Sequence, residues 1–304
     1  MRKFGIIGLG NVGRTVAYTL VTKGIADSLV LIDKDQKKSR AEQLDLQDAQ
    51  ARLNTTTQIT TQNYDNLKDV DILYISAGDI AVSTNSGDRF AEFKITSAVV
   101  KEIAPKIVAS GFKGVIIDIM NPCDAVTSYL QKLTGFSKQR VFGTGTFLDT
   151  ARMQRVVGEK LNVNPRSVEG YVLGEHGNSQ FVAWSSVRVK GEAIQDLPEA
   201  KDFDFDQLAD AAKQGAWEVA SGKGFTSAAI ATCGVSLGQA VLSDARLVCP
   251  VSGYSEKYST YVGLPAIVGK NGIESVVDLP LTNEETVKFA KSAEMIHDRV
   301  AKLN

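Results

Sequence analysis

Two histidines serve the whole 304-residue chain, and they sit in unlike surroundings. His176 lies in "GEHGNSQ" (174–180), wedged between Glu175 and Gly177. An imidazole titrates near ~6.5, so at working pH it can give or take a proton during a reaction. Flanking glycines would let that ring approach a small substrate closely. A solvated loop histidine is the plain alternative. His297 stands among Glu, Asp, Arg and Lys on a charged C-terminal stretch and reads as a surface residue.

A second group of residues lies near the N-terminus. "IIGLGNVG" (6–13) places Gly8, Gly10 and Gly13 in G-x-G-x-x-G spacing, after an apolar run and before a helical one. In that setting Gly8 permits a tight turn and Gly10 lets the backbone approach a pyrophosphate. Gly13 lets helix and sheet pack closely. Asn11 and Val12 open the helix whose N-terminus faces the phosphates. Asp33 follows 20 positions after Gly13, at the end of the second apolar run. There a carboxylate can accept hydrogen bonds from an adenosine ribose and repels a 2′-phosphate, so NAD is favoured over NADP.

These groups need elements to position them. "KFGIIG" (3–8), "LVLID" (29–33), "DILYIS" (71–76) and "GVIIDIM" (114–120) are near-continuous apolar runs suited to a parallel sheet covered on both faces. Helical stretches alternate with them, over 11–23, 37–51, 90–110 and 123–133. The pattern predicts an α/β chain whose N-terminal part is a doubly wound (Rossmann) sheet. The second half predicts a mixed α+β domain. "GYVLG" (170–174) and "SSVRVKG" (185–191) read as antiparallel strands, followed by helices over 205–221 and 226–242 and strands over 245–251 and 261–268. "GKNGIESVVDLPL" (269–281) carries an Asn-Gly turn signal for a hairpin, and Thr282 with Glu285 makes a capping box for the last helix. We expect a dinucleotide-binding domain over 1–144 and a substrate domain over 145–304.

Composition narrows the partners. Lys+Arg 34 against Asp+Glu 35 leaves a formal charge of −1, which points to neither nucleic acid nor an anionic membrane. Cys123, Cys233 and Cys249 are odd in number without a CxxC pair, and read as free thiols in a reducing compartment. No apolar run has the length of a membrane span, and "MRKFGIIGLG" runs directly into a strand, so a cytoplasmic location is expected.

Four longer motifs carry a resemblance. "GDRFAE" (87–92), "MNPCDAVT" (120–127), "TGTFLDTARMQR" (144–155) and "GEHGNSQFVAWS" (174–185) together resemble the L-lactate dehydrogenase family over essentially the whole chain. Within it, "GDRFAE" and "GEHGNSQFVAWS" are similar to the L-2-hydroxyisocaproate dehydrogenase branch. Most lactate dehydrogenases have Asp where this chain has Asn178. The resemblance implies reversible hydride transfer between NADH and a 2-oxoacid, in a homotetramer or at least a dimer.

It also implies roles, one residue at a time. His176 matches the proton donor and Asp149 its carboxylate partner. Arg152 matches the arginine that clamps the substrate carboxylate, a task for which a planar guanidinium offers two parallel donors. Taken alone, Asp149 and Arg152 would read as an exposed i,i+3 ion pair. Arg89 matches the loop arginine that polarises the carbonyl as negative charge builds on oxygen. Asn121 matches a residue near the nicotinamide and the reacting oxygen, although Asn-Pro alone marks a turn. Thr226 and Ile230 match positions beside substrate and nicotinamide.

Departures shape the substrate expectation. Malate dehydrogenases carry a second arginine six residues before the loop arginine, and that offset here is Ser83, so a dicarboxylate would bring an uncompensated charge. "GDIAVSTNSGDRF" (78–90) is longer and more apolar than in lactate enzymes. A roomier pocket would admit branched side chains, at about 0.8 kcal/mol per buried methylene. Strict L-lactate dehydrogenase is the nearest alternative, with malate dehydrogenase behind it. The residues that bind fructose-1,6-bisphosphate in activated bacterial enzymes correspond to Gln154 and Glu169, which implies no activation by that sugar phosphate. NAD- and metal-dependent glycosidases share the fold but need a cysteine–histidine metal pair. A dinucleotide sensor without chemistry would lack the residues just named.

Overall fold

A computed structural model describes residues 1–78 and 92–301. The first half alternates as its apolar runs require: β1 (Lys3–Ile7), α1 (Asn11–Thr22), β2 (Ser28–Ile32), α2 (Gln36–Gln50), β3 (Gln58–Thr61), β4 (Ile72–Ile75), α3 (Phe93–Ala109), β5 (Val115–Asp118), α4 (Cys123–Thr134) and β6 (Val141–Gly143). These strands are parallel and lie in the order β3-β2-β1-β4-β5-β6. That order reverses between β1 and β4, and the glycine loop leaves β1 at this reversal, where doubly wound sheets bind ligands.

Neighbouring residues on one strand fall on opposite faces, and the core divides accordingly. Ile6, Leu31 and Tyr74 pack with Val16 and Leu20 of α1. Ile7, Ile32 and Ile75 pack instead with Val100 and Ile103 of α3. Burial on both faces is why these runs are apolar throughout.

The second half begins with α5 (Phe147–Leu161), then β7 (Val168–Glu169), β8 (Val172–Leu173), β9 (Phe181–Val182), β10 (Arg188–Val189) and β11 (Glu192–Ala193). Helices α6 (Phe205–Lys223) and α7 (Ala228–Leu242) follow, then β12 (Leu247–Ser255), β13 (Thr260–Gly269), β14 (Gly272–Val276) and α8 (Asn283–Ala301). Lys270 and Asn271 make the expected hairpin turn. The capping box forms both ways: Glu285 N–H donates to Thr282 Oγ1 at 3.2 Å, and Thr282 N–H to Glu285 Oε2 at 2.9 Å.

Two features differ from the sequence expectation. "GYVLG" is not one strand paired to "SSVRVKG". Within it only β8 is a strand, and it pairs with β9; the strand that pairs with β10 is β7, which ends just before Gly170 at φ +120. The hairpin β12–β13 also extends the first sheet rather than forming its own, because Ser252 pairs antiparallel with Gly143 at the edge of β6. One nine-stranded sheet therefore runs through both halves. Among the described residues, no single helix is long and apolar enough to cross a membrane.

Candidate active site

The glycine loop has the geometry its spacing implies. Gly8 adopts φ +94, and a Cβ there would press on the Ala77 backbone at 2.6 Å. A Cβ on Gly13 would overlap the Gly8 carbonyl oxygen, so α1 can lie this close only without one. Around Gly10 there is open space. Helix α1 starts at Asn11 with no side chain capping its N–H groups, which suits an anionic phosphate. The Asn11 Oδ1 accepts from Arg14 instead. Asp33 is tied into the loop, its Oδ2 accepting the Leu9 N–H at 2.7 Å and its Oδ1 the Asp35 N–H at 3.0 Å. The residues present thus fit a dinucleotide.

Asn121 leaves β5 through a braced turn. Asp118 Oδ1 accepts the Met120 N–H at 3.0 Å, and its Oδ2 accepts the Thr127 hydroxyl at 2.9 Å, closing strand onto helix around a cis Asn121–Pro122 bond. Burial pushes the Asp118 carboxyl up to about 7, against the pull of those donors.

Helix α5 presents Asp149 in its first turn and Arg152 three residues on. Asp149 Oδ1 accepts from Arg152 Nη1 at 2.8 Å, while Asp149 Oδ2 lies 2.5 Å from His176 Nδ1. The Gln180 amide, turned so that its nitrogen faces the carboxylate, donates to both oxygens at 3.2 Å. The Asp149, Arg152 and His176 side chains are only 3%, 13% and 14% exposed, so this is no solvated surface ion pair. With Nδ1–H donating to Asp149, Nε2 is left at the far edge of the ring.

The histidine loop is pinned on several sides. Gly174 exchanges two 2.9 Å hydrogen bonds with Gly263 of β13. Glu175 N–H donates to Ser292 Oγ at 2.6 Å, and the Glu175 carboxylate accepts from Ser179 N–H and Oγ. The glycines serve this packing: a Cβ on Gly174 would meet Ser292 Oγ at 2.7 Å, and one on Gly177 the Glu175 carboxylate at 2.6 Å. Their place beside His176 therefore reflects loop closure around Glu175, not only room for a substrate.

A cavity of about 320 Å³ brings together Val12, Asn121, Arg152, His176, Thr226 and Ile230. Asp149 stands behind His176 and faces a neighbouring cavity. Gly8, Gly10, Asn11 and Gly13 form the glycine loop and the start of α1, of which Val12 reaches this cavity, and Asp33 at the end of β2 is bonded to that loop. Arg89 and Ser83 fall outside the described residues. His297 is exposed beside Asp298.

Residues 2–143 match the family described as lactate/malate dehydrogenase, NAD binding domain, and residues 146–304 match lactate/malate dehydrogenase, alpha/beta C-terminal domain. The chain belongs to the lactate/malate dehydrogenase family. Among its relatives, L-lactate dehydrogenase 3 of Bacillus cereus is 37% identical over 98% of this chain and 96% of that protein. L-lactate dehydrogenase of Mycoplasma mycoides is 36% identical, with the same coverage. The minor L-lactate dehydrogenase of Enterococcus mundtii, solved in a ligands-bound form, superposes with a TM-score of 0.93 at 33% identity, covering 100% of this chain and 98% of that one. The protein is an NAD-dependent oxidoreductase of the lactate dehydrogenase type acting on 2-hydroxyacids.

Lactate/malate dehydrogenase motifs did not disclose one wall of the cavity. Lys213, Ala216, Trp217 and Ala220 of α6 line it together with His176 and Asn178. Their i, i+3, i+4, i+7 spacing is the signal that could have found them. Trp217, 60% exposed, stands at the open side. The three cysteines are buried free thiols, and burial pushes Cys233 and Cys249 up to about 12 and Cys123 well above an ordinary thiol, which disfavours the thiolate.

Proposed function

We propose that this enzyme reduces 2-oxoacids beyond pyruvate, with branched substrates such as 2-oxoisocaproate among them, and that it is an L-2-hydroxyacid dehydrogenase of broadened range. The observation that carries this reading is the single cavity that joins an imidazole, a guanidinium and an amide to apolar lining from Ile119, Leu148, Ala216, Trp217 and Ala220.

In this reading NADH, when bound, supplies the hydride. Arg152 holds the substrate carboxylate on the edge of its guanidinium not given to Asp149. His176, its Nδ1–H held by Asp149, donates the Nε2 proton to the reacting oxygen and takes one back in the reverse direction. Arg89 stabilises the developing negative charge, and Asn121 orients the carbonyl beside the nicotinamide. Thr226 bounds the substrate and Ile230 the nicotinamide face. We assign cofactor binding to 1–144 and substrate binding to 145–304, a cytoplasmic location, and a tetramer or dimer as the working assembly.

The relatives' names favour a second reading, a strict L-lactate dehydrogenase. A kcat/KM series for NADH oxidation with pyruvate, 2-oxobutyrate, 2-oxoisocaproate, phenylpyruvate and oxaloacetate separates the two. Comparable or higher values for 2-oxoisocaproate support the broadened range. A steep preference for pyruvate returns the enzyme to lactate, and dominance of oxaloacetate overturns both.

A further inference from the structure

A further cavity, of about 430 Å³, is larger than the one that holds His176 and lies at the opposite edge of the sheet. Three strands begin at it: Asp71 precedes β4, Gly114 precedes β5 and Arg140 precedes β6. The glycine loop and Asn121 lie beyond the other ends of β1 and β5. The rim is tightly built. Val115 N–H donates to the Asp71 carbonyl at 2.9 Å, and Ile116 N–H to the Arg140 carbonyl at 2.8 Å. The β13–β14 turn, with Lys270 and Asn271, is drawn against this rim by Ile273 N–H, which donates to the Gln139 carbonyl at 2.9 Å. Gly272, at φ +89, permits the approach, since a Cβ there would overlap that carbonyl.

Four cations line this cavity, Lys68, Lys113, Arg140 and Lys270, in a chain whose formal charge is only −1. Among the described residues, no carboxylate forms an ion pair with any of them. The two acids of the lining are engaged at the start of β1. Asp71 Oδ2 accepts the Lys3 N–H at 2.8 Å, and Asp69 Oδ2 lies 3.6 Å from Lys3 Nζ. Arg140 gives both Nε and Nη2 to one acceptor, the Gly114 carbonyl, at 3.0 and 2.7 Å, and its guanidinium lies 5.1 Å from the centre of the Phe136 ring. Burial lowers its pKa, the mark of a guanidinium held partly out of water without a counter-charge. Like charges gathered in one concavity repel, and an anion placed among them relieves the repulsion. Val70, Val115 and Val241 form a buried apolar floor.

We propose that this cavity binds a small organic phosphate carrying two or more negative charges, with its phosphate oxygens on the four cations and its carbon frame on the valines. Guanidinium and ammonium groups are the donors that suit phosphate oxygens. The described lining has no histidine, cysteine or hydroxyl side chain, so it is built for binding and not for a second reaction. Gln154 and Glu169 do not line it, which separates it from the positions that correspond to fructose-1,6-bisphosphate binding in activated bacterial enzymes. It is also independent of which 2-oxoacid the enzyme prefers.

Isothermal titration of the full-length enzyme with glucose 1,6-bisphosphate tests this, at fixed ionic strength and with NADH saturating so that the cofactor cleft is filled. The expected result is one saturable site per chain. Lys113→Ser combined with Lys270→Ser should raise its Kd about tenfold or more. Arg140→Gln, which keeps a donor for the Gly114 carbonyl, should do the same. Removing two exposed cations elsewhere, by Lys23→Ser with Lys201→Ser, should leave Kd within about twofold. Turnover of the 2-oxoacid without the sugar phosphate should be unchanged in every variant. If Arg140→Gln does not fold, the lysine pair carries the test alone, because both of its side chains are exposed. Absence of saturable binding below about 10 mM overturns the proposal. So does binding that survives intact in the Lys113→Ser/Lys270→Ser variant, or that weakens as much in the Lys23→Ser/Lys201→Ser control.

Discussion

His176 Nδ1 and Asp149 Oδ2 lie 2.5 Å apart although 27 residues separate them in sequence. The pairing joins the first turn of α5 to a loop anchored on β13 and α8, and it fixes which ring nitrogen carries its proton toward Asp149. Asp149→Asn keeps the shape and removes the carboxylate that favours this tautomer. We expect turnover to fall by about a hundredfold to ten-thousandfold, with NADH affinity unchanged. Steady-state reduction of pyruvate and 2-oxoisocaproate measures it.

Arg152 is 13% exposed and gives Nη1 to Asp149, so its remaining edge faces the cavity. Lysine carries the charge but not the fork. Arg152→Lys should lower kcat/KM for the 2-oxoacid by about tenfold to a hundredfold. The loss should fall mainly in KM, and NADH affinity should hold. Equal weakening of NADH and oxoacid binding would place this arginine elsewhere.

Asp33 combines two tasks at the loop, a tether to the Leu9 N–H and a carboxylate at the end of β2. Asp33→Ser removes the charge that repels a 2′-phosphate. The ratio of kcat/KM for NADH to that for NADPH should fall by about tenfold or more. An unchanged ratio would sever Asp33 from cofactor selection.

Stability should depend on pH through Asp118. Burial raises its carboxyl to about 7 in the folded chain, while the unfolded chain releases that proton near 3.8. Between those values the unfolded state binds fewer protons than the folded one, so this group makes stability fall as pH rises from about 4 to about 7. Asp124, also raised by burial, contributes in the same direction. Asp118→Asn keeps an acceptor for Met120 and a donor toward Thr127, and should flatten this dependence. The gain at pH 8 is at most roughly 4 kcal/mol, read as a shift of the urea midpoint.

Much of this arrangement is legible from residue types and spacing. The runs at β1, β2, β4 and β5 announce themselves because both faces are buried, and Gly8, Gly10, Gly13 and Asp33 keep their offsets on any such sheet. β3 and β6 escape notice because "QITT" is half-polar at a sheet edge and "VFG" is three residues long. The junction of Ser252 with Gly143 is hidden for another reason. It is a single tertiary pairing between segments more than a hundred residues apart, and no local pattern encodes it. The hydrogen bond from the His176 N–H to the buried Asp124 carboxylate is likewise invisible, since an acid in the first turn of a helix has an ordinary local explanation. The α6 wall shows only as an amphipathic stripe, indistinguishable from core until the cavity is seen.

The central claim is that the His176 imidazole delivers the proton to the substrate oxygen. Single-turnover oxidation of enzyme-bound NADH by saturating 2-oxoacid, compared between the wild type and His176→Ala at neutral pH, tests it most directly. The account predicts a rate lower by about a hundredfold or more in the variant, with NADH still bound. A rate within about twofold of wild type would lie below any general-acid contribution and would contradict it.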